Sequence, residues 1–360
     1  MQRNLGRLMM WTGVLMTLAI LVPFLIVTAG HDEKSSTSAA GEQEAQPTTA
    51  GEASSAAEQL YVRVQLDADG KIERVPLEQY VRGVVAAEMP ESFELEALKA
   101  QAIAARTYIV RRLAHNDASA STSGADIGAT VADQAYVSLA ELAKRPPSAV
   151  EKLDRAVRET DGLIVTYDNQ PIEALYFSTS NGFTENAEDY WSKKLPYLRS
   201  VVSPWDEKLS PRYEDSVRMK VSAFLEKMNL SDQSVPAFHI LSSVKGAEVK
   251  NPLPAAIRTV STTAGKRIAE VQIGQETFTG RQLREKLGLA SSDISWSWDQ
   301  GEIIFTTHGY GHGVGMSQYG AQGMALEGKD AAGIITYYYQ GVSIMPLKEI
   351  WTSLVQRSKA

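Results

Sequence analysis

No cysteine occurs among the 360 residues. Disulfides and thiolate metal sites are therefore excluded, although the absence does not by itself assign a compartment. Positive charge is not in excess. Lys and Arg number 36 against 43 Asp and Glu, a net charge of -7, which argues against a basic nucleic-acid binder. No self-similarity recurs at a period of 20–50 residues, so a solenoid or propeller is not indicated. What remains, 44% hydrophobic and 22% charged, is ordinary globular composition. The length is enough for a sizeable core.

Long apolar runs are also missing, with one exception. "LMMWTGVLMTLAILVPFLIVTAG", Leu8 to Gly30, carries no charged side chain. A helix of about 20 apolar residues spans the hydrocarbon layer. Arg3 and Arg7 precede the run and Asp32 and Glu33 follow it, so the N-terminus is expected inside and the rest outside. A cleaved signal peptide would have an apolar region of about 7–15 residues and an Ala-x-Ala-like site. This run is longer, and "VTAGHDEK" offers no such site. The expectation is a cytoplasmic tail over 1–7 and an uncleaved single-pass anchor over 8–30. Residues 31–59 hold six acidic residues and one Lys, with no aromatic and no large aliphatic side chain. Such a stretch cannot bury enough apolar surface to offset its ordering entropy and reads as a disordered tether. As a flexible coil it would reach about 30 Å.

Beyond the tether, helices and hairpins are interspersed without strand–helix alternation, which favours α+β over a doubly wound sheet. "LYVRVQL" and "KIERVPL" flank the turn signal "DADG" and read as a hairpin. Pro76 then opens a helix expected to end near Pro90. A second helix, about Leu95 to Leu113, places Leu98, Ala102, Ala105, Ile109 and Leu113 on one face. "GLIVTYDNQPIEALYFSTSNG" and "RIAEVQIGQETFTG" read as hairpins and "GRQLREKLGL" as a short helix. "GEIIFTTHGYGHGVGMSQYGAQGMALEG" reads as strand, glycine-rich loop and helix, and "AAGIITYYYQGV" as a closing helix. Residues 60–350 form the expected extracytoplasmic domain, with 217–290 a possible subdomain or insertion and 351–360 a tail.

One carboxylate is out of place. At about 100° per residue, Leu77, Val81, Val84, Val85 and Glu88 share the apolar stripe of the first helix, while Gln79, Arg82 and Ala86 face away. Burial disfavours a charged carboxylate and raises its pKa, as a general acid requires. Two plainer readings stand beside this one: Glu88 pairs with a buried Arg, Arg106 being the obvious partner, or the last turn frays and Glu88 faces water.

Other motifs carry weaker signals. His308 and His312 sit among alternating glycines in "HGYGHGVG", which suits polar lining of a cleft, metal binding, or a turn packed on the core. A zinc site would need a further ligand, and HExxH is absent. "GMSQYG" misses the G-x-S-x-G spacing, which argues against serine hydrolysis, and leaves Gln318 and Tyr319 as possible sugar-binding groups. "YFSTSNGFTEN" is a polar turn holding Ser178, Asn181 and Glu185, either functional or simply capped.

Together "YVRGVVAAEMPESFELEALKAQAIAARTY", "ALYFSTSNGFTEN", "FTGRQLREKLGLASSDISW", "GYGHGVGMSQYGAQGMALEG" and "ITYYYQGV" resemble the SpoIID family of sporulation proteins, in the family's order and across most of the domain. The resemblance implies a membrane-anchored peptidoglycan lytic transglycosylase. Such an enzyme cleaves MurNAc–GlcNAc bonds of denuded glycan strands during septal thinning and engulfment. It implies Glu88 as the catalytic residue; Gln101, Arg106, Ser178, Asn181, Glu185, His308, His312, Gln318 and Tyr319 are the candidate substrate-binding residues. It also implies a SpoIIP-like amidase/endopeptidase and a SpoIIM-like membrane scaffold as partners, with the chain in the mother-cell membrane at the sporulation septum. This chain departs from the family at "STSNG", where Ser-Ser-Gly-Gly is frequent. It departs again at "IGATVADQAYVS", which lacks the Cys and His of members that hold zinc, so neither a metal nor another cofactor is expected. The alternatives are a non-enzymatic enhancer of a cell-wall amidase, as some relatives are, and a two-carboxylate hydrolase using Glu185 or Asp189.

Overall fold

The computed structural model describes residues 60–66, 70–115, 124–130, 133–238 and 253–357. All of them fall in one compact unit, Glu58–Ala360. The expected cytoplasmic tail, anchor and tether lie outside the described residues. Among the described residues no helix is long and apolar enough to cross a membrane. The fold is α+β, with small and mostly antiparallel sheets.

Strands β1 (Tyr61–Gln65) and β2 (Ile72–Pro76) pair as the expected hairpin. Helix α1 (Leu77–Glu88) follows directly. It stops because Met89 is extended, at φ -122° and ψ 141°, the conformation that a following proline imposes. Helix α2 (Leu95–Ala114) differs from its one-faced expectation, since Ala97, Ala100, Ile103, Ala104, Thr107 and Val110 are buried as well as Leu98, Ala102, Ala105 and Ile109. A helix buried around most of its circumference belongs in the centre of a fold. Its alanines let α1 and several later elements approach from different sides.

After β3 (Ile127–Gly128) and α3 (Leu139–Leu142), helix α4 (Pro147–Glu159) packs on α1 and α2. Its pattern is short and charge-rich, and the sequence reading assigned no helix there. Strands β4 (Leu163–Tyr167) and β5 (Gln170–Pro171) form the next hairpin, with Asp168 and Asn169 both at positive φ in its turn. Short pieces then follow: β6 (Tyr176–Phe177), β7 (Gly182–Phe183), α5 (Ala187–Trp191), β8 (Val202–Ser203) and α6 (Asp206–Leu209).

A second hydrophobic core begins with β9 (Glu214–Lys220) and α7 (Val221–Met228). It continues through α8 (Leu253–Ala256), β10 (Ile257–Thr262), β11 (Ile268–Ile273), β12 (Glu276–Thr279) and α9 (Gly280–Leu287). It closes with the hairpin of β13 (Ile294–Asp299) and β14 (Glu302–His308), whose Phe305 is fully buried in this core. The apolar side chains of this core thus extend past residue 290. The chain then returns to the first core through β15 (Met316–Ser317), α10 (Gln318–Leu326) and α11 (Ala331–Tyr338). Strand β16 (Ser343–Pro346) pairs antiparallel with β4. Helix α12 (Leu347–Arg357) occupies most of the stretch expected to be a tail.

Candidate functional site

Glu88 is the last residue of α1. Tyr80, Val81, Val84 and Val85 on its stripe are fully buried, whereas Glu88 itself is half-buried. The carboxylate sits at the C-terminal end of the apolar stripe, where the helix surface becomes partly exposed. Both of its oxygens are held. The backbone N–H of Ala135 donates to Oε1 at 3.1 Å, and Gln318 Nε2 donates to Oε2 at 3.0 Å. Burial pushes the Glu88 pKa up, while hydrogen bonds from Gln318, Ala135 and the Tyr176 hydroxyl pull against it; the net direction is upward. Every group in that balance is uncharged.

Three segments converge to make this arrangement. Gly83 brings 134–137 against α1: its carbonyl accepts from Val137 N at 3.1 Å, and a Cβ there would overlap the Tyr136 ring. Tyr80 donates to Gln134 Oε1 at 2.7 Å, and Gln134 Nε2 donates to Tyr176 Oη at 3.0 Å. A polar relay therefore runs beneath the carboxylate. From the far side, Gln318 opens α10, whose N-cap is Ser317.

The glycine-rich loop before α10 is shaped by its own backbone. Gly309, Gly311, Gly313 and Gly315 all have positive φ, where a Cβ is strained. At all four packing adds a second demand: a Cβ on Gly309 would press on Thr179 O, and one on Gly311 on the Phe177 side chain. A Cβ on Gly313 would meet the Arg267 guanidinium, and one on Gly315 would run into Leu175 O. The glycines thus let 309–316 lie along 175–185, which delivers Gln318 to Glu88.

The structure sorts the other expected residues into groups. Tyr319 and Ser178 lie beside the Glu88–Gln318 contact: Tyr319 N donates to Ser178 O at 3.1 Å, and its ring meets Phe93 edge-on at 5.0 Å. His312 stands behind, packed among Phe177, Tyr190 and Trp191. Its Nδ1 accepts from Val314 N at 3.1 Å. Burial, then the guanidiniums of Arg284 and Arg267, push its pKa down to about 3, so the ring is neutral at physiological pH.

His308 faces elsewhere, with Nε2 at 3.6 Å from Glu214 and its ring near Tyr213. Among the described residues no group of three or more His, Asp or Glu is placed to hold a metal.

Asn181 and Glu185 turn toward the second core. Asn181 Nδ2 donates to Gly265 O at 3.0 Å and Asp293 Oδ2 at 2.8 Å. Glu185 accepts from Thr263 Oγ1 at 2.6 Å and pairs with the buried Arg267 at 3.3 Å. It lines a cavity of about 420 Å³ with Tyr190, Arg267 and Arg281.

Arg106 and Gln101 are fully buried in α2. Arg106 does not pair with Glu88. It makes two contacts to Glu78, at 2.8 and 2.5 Å, and one to Leu163 O at 3.1 Å. Glu78 is ten residues before Glu88 on α1, about 15 Å away along the axis. The Gln101 amide has no hydrogen-bond partner among the described residues.

The sequence reading missed Tyr80, Gln134, Ala135 and Tyr176. Ala135 acts through its backbone and leaves no side-chain signal. Tyr176 lies in a quoted motif but reads there as an ordinary strand aromatic.

An α+β protein with one uncharged-lined, half-buried carboxylate between a helix end and a glycine-rich loop defines the class. The family profile described as "SpoIID: Stage II sporulation protein" matches residues 67–167, a span that contains Glu88. The chain is 42% identical over 339 residues to "Stage II sporulation protein D" of Bacillus subtilis (strain 168), covering 92% of this chain and 93% of that protein. It is 44% identical over 287 residues to the protein of the same name from Bacillus amyloliquefaciens, covering 79% and 78%. It is also 30% identical over 304 residues to an "Amidase enhancer" of Bacillus subtilis (strain 168), covering 73% of this chain and 40% of that protein. The chain belongs to the SpoIID family of sporulation proteins.

Proposed function

We propose that this chain is a peptidoglycan lytic transglycosylase with Glu88 as its catalytic residue, acting on MurNAc–GlcNAc bonds of denuded glycan. The supporting observation is the Glu88 environment: burial raises its pKa, and the groups that hold its oxygens are uncharged. Hydrolytic glycosidases work with two carboxylates. A lytic enzyme needs one, because the sugar's own 6-hydroxyl is the nucleophile.

Glu88 first protonates the glycosidic oxygen as that bond breaks. Its carboxylate then takes the proton of the 6-hydroxyl as the 1,6-anhydro ring closes. Both roles are served here. Burial favours the acid form, while Gln318 and the Ala135 N–H stabilise the carboxylate once the proton has left. A general acid works best when its pKa lies near the operating pH, and opposed influences of this kind move a carboxyl in that direction. The relay of Tyr80, Gln134 and Tyr176 holds the base of the site in one hydrogen-bonded arrangement.

The domain would work outside the cell, tethered to the membrane of the mother cell by Leu8–Gly30. There it would act with a SpoIIP-like amidase that strips stem peptides and a SpoIIM-like scaffold. The test is mass spectrometry of denuded glycan treated with the purified full-length chain. New 1,6-anhydro ends are expected, and Glu88→Gln should cut their formation by about 10²- to 10⁴-fold while remaining folded. Free reducing ends would instead indicate a two-carboxylate hydrolase. The similarity to an amidase enhancer supports a second reading, a glycan-binding stimulator of a separate amidase. That reading requires glycan binding, no new sugar ends, and faster amide cleavage by the partner.

A further inference from the structure

Beneath Gln318 lies a buried carboxylate to which neither the motifs nor the proposed chemistry gives a role. Asp206, first residue of α6, is fully buried, as are Ser180, Ser203, Ser317 and Tyr338 around it. Its Oδ1 accepts from Ser180 N at 2.7 Å and from the Ser317 hydroxyl. Its Oδ2 accepts from Ser203 Oγ at 3.0 Å, and that hydroxyl contacts Tyr338 Oη at 2.8 Å.

The network converges on the start of α10. Ser317 is the N-cap, and its oxygen accepts from Gly320 N at 3.3 Å. An N-cap hydroxyl has one proton to give. Ser178 O lies 3.4 Å from that hydroxyl, but the contact to Asp206 is far shorter, so the proton goes to Asp206 and a lone pair is left for the helix N–H. A negative charge beside a helix N-terminus is also favoured by the helix dipole. Gly320 shows that the close approach is built in. A Cβ at that position would collide with the hydroxyls of Tyr338 and Ser203 and press on Ser317. The next residue after the cap is Gln318, whose amide holds Glu88.

We infer that Asp206 is a positioning residue for the Glu88 site: through the Ser317 hydroxyl it fixes the first turn of α10, and so sets the Gln318 amide against the catalytic carboxylate. Asp206 makes no hydrogen bond to Glu88 in this arrangement; it acts through the cap. This inference rests on the catalytic reading of Glu88, but its geometry can be tested without activity. The titratable groups facing Asp206 are Tyr338 from α11, Tyr213 before β9 and, further off, Arg267 of the second core. Those facing Glu88 are Tyr80 on its own helix and Tyr176 on β6.

The experiment follows the Glu88 carboxyl by carbon-13 NMR in the full-length chain labelled at glutamate, with the signal assigned by its loss in Glu88→Gln. The Gln318 hydrogen bond lowers the Glu88 pKa, so weakening it must raise the titration midpoint. Asp206→Asn and Ser317→Ala should each raise that midpoint. Each should also cut kcat on denuded glycan by about 10- to 100-fold, the scale of a small misplacement, with KM held within about twofold. Ser317→Thr keeps the hydroxyl and should restore both. Should Asp206→Asn fail to fold, the Ser317→Ala and Ser317→Thr pair decides. Folded variants in which Glu88 titrates as in the wild type would overturn the inference. A wild-type chain that makes no anhydro ends would instead remove the lytic reading, with the titration still deciding the clamp.

Discussion

Two glutamates, the half-buried Glu88 and the buried Glu185, respond differently to the same kind of cost. Burial raises the pKa of both. Glu185 has a cation within reach, and the Arg267 pair together with Thr263 absorbs its charge between the two cores. Glu88 has only amide and hydroxyl partners. A carboxylate beside an arginine is committed to holding the fold, since removing either partner strands the other's charge. A carboxylate among neutral donors keeps both protonation states accessible. The comparison separates a structural acid from a reactive one more sharply than burial does.

The largest expected effect tests the reactive side. Glu88→Gln should lower formation of anhydro ends by about 10²- to 10⁴-fold, the usual share of a general acid–base, as measured by product mass spectrometry. Its stability should move the other way. The folded-state pKa of Glu88 lies above its unfolded value, so the folded protein binds the extra proton. Wild-type stability therefore falls as pH rises through that interval. Glu88→Gln escapes the loss, and its melting temperature relative to wild type should be highest at neutral pH and shrink in acid.

Glu185→Gln tests the structural side. It leaves Arg267 buried without its counter-charge, a defect of about 3–5 kcal/mol, readable from denaturant midpoints. Activity per folded molecule should change far less than in Glu88→Gln. A Glu185→Gln variant with normal stability and no activity would dissolve the distinction between the two acids.

A smaller effect is expected from Gly83→Ala. The added methyl meets the Tyr136 ring and Val137 O, and overpacking of this kind costs about 1–3 kcal/mol. Because the same contact seats Ala135 at Glu88, kcat should fall along with the melting temperature.

At neutral pH the smallest effect belongs to His312, whose contribution emerges only on acidification. Its folded pKa of about 3 lies below the unfolded value of about 6.5. Only the unfolded chain takes up the proton as pH falls through that window, so stability is lost on acidification. His312→Gln should flatten the slope of melting temperature against pH between those limits. An unchanged slope would mean that the ring is not neutral in the folded protein.

Local pattern made much of this fold legible. The first hairpin, α1 with its stop before Pro90, α9 and α10 are where periodicity and turn residues place them. Glu88 could be placed on the apolar stripe by counting at 100° per residue, because helical geometry is the same in every protein. Helix α4 is hard to see in the sequence because its few larger or buried apolar positions, Val150, Leu153, Ala156 and Val157, are outnumbered by charged ones. Helix α2 looks one-faced in sequence because alanine is a weak hydrophobic signal, yet alanine is what lets neighbours close around it. Arg106 and Glu185 look alike in sequence, as charged residues within the motifs that carry the family resemblance. Only their partners, Glu78 and Arg267, show where their charges are spent.

By itself the sequence determined the order of elements, the absence of thiol chemistry, the resemblance that places the chain in its family, and a carboxylate at the edge of a buried helix face. These follow from local rules: side-chain type, spacing and the geometry of one turn. The tertiary structure alone decided which groups surround that carboxylate. Ala135 is 47 residues and Gln318 is 230 residues from Glu88 along the chain, and Asp206 reaches the site only through a capped helix. No local pattern encodes a meeting of that kind. It arises when α1, the 134–137 segment and the α10 cap are packed to one geometry, and the proton affinity of Glu88 is set by the burial and hydrogen bonds that result.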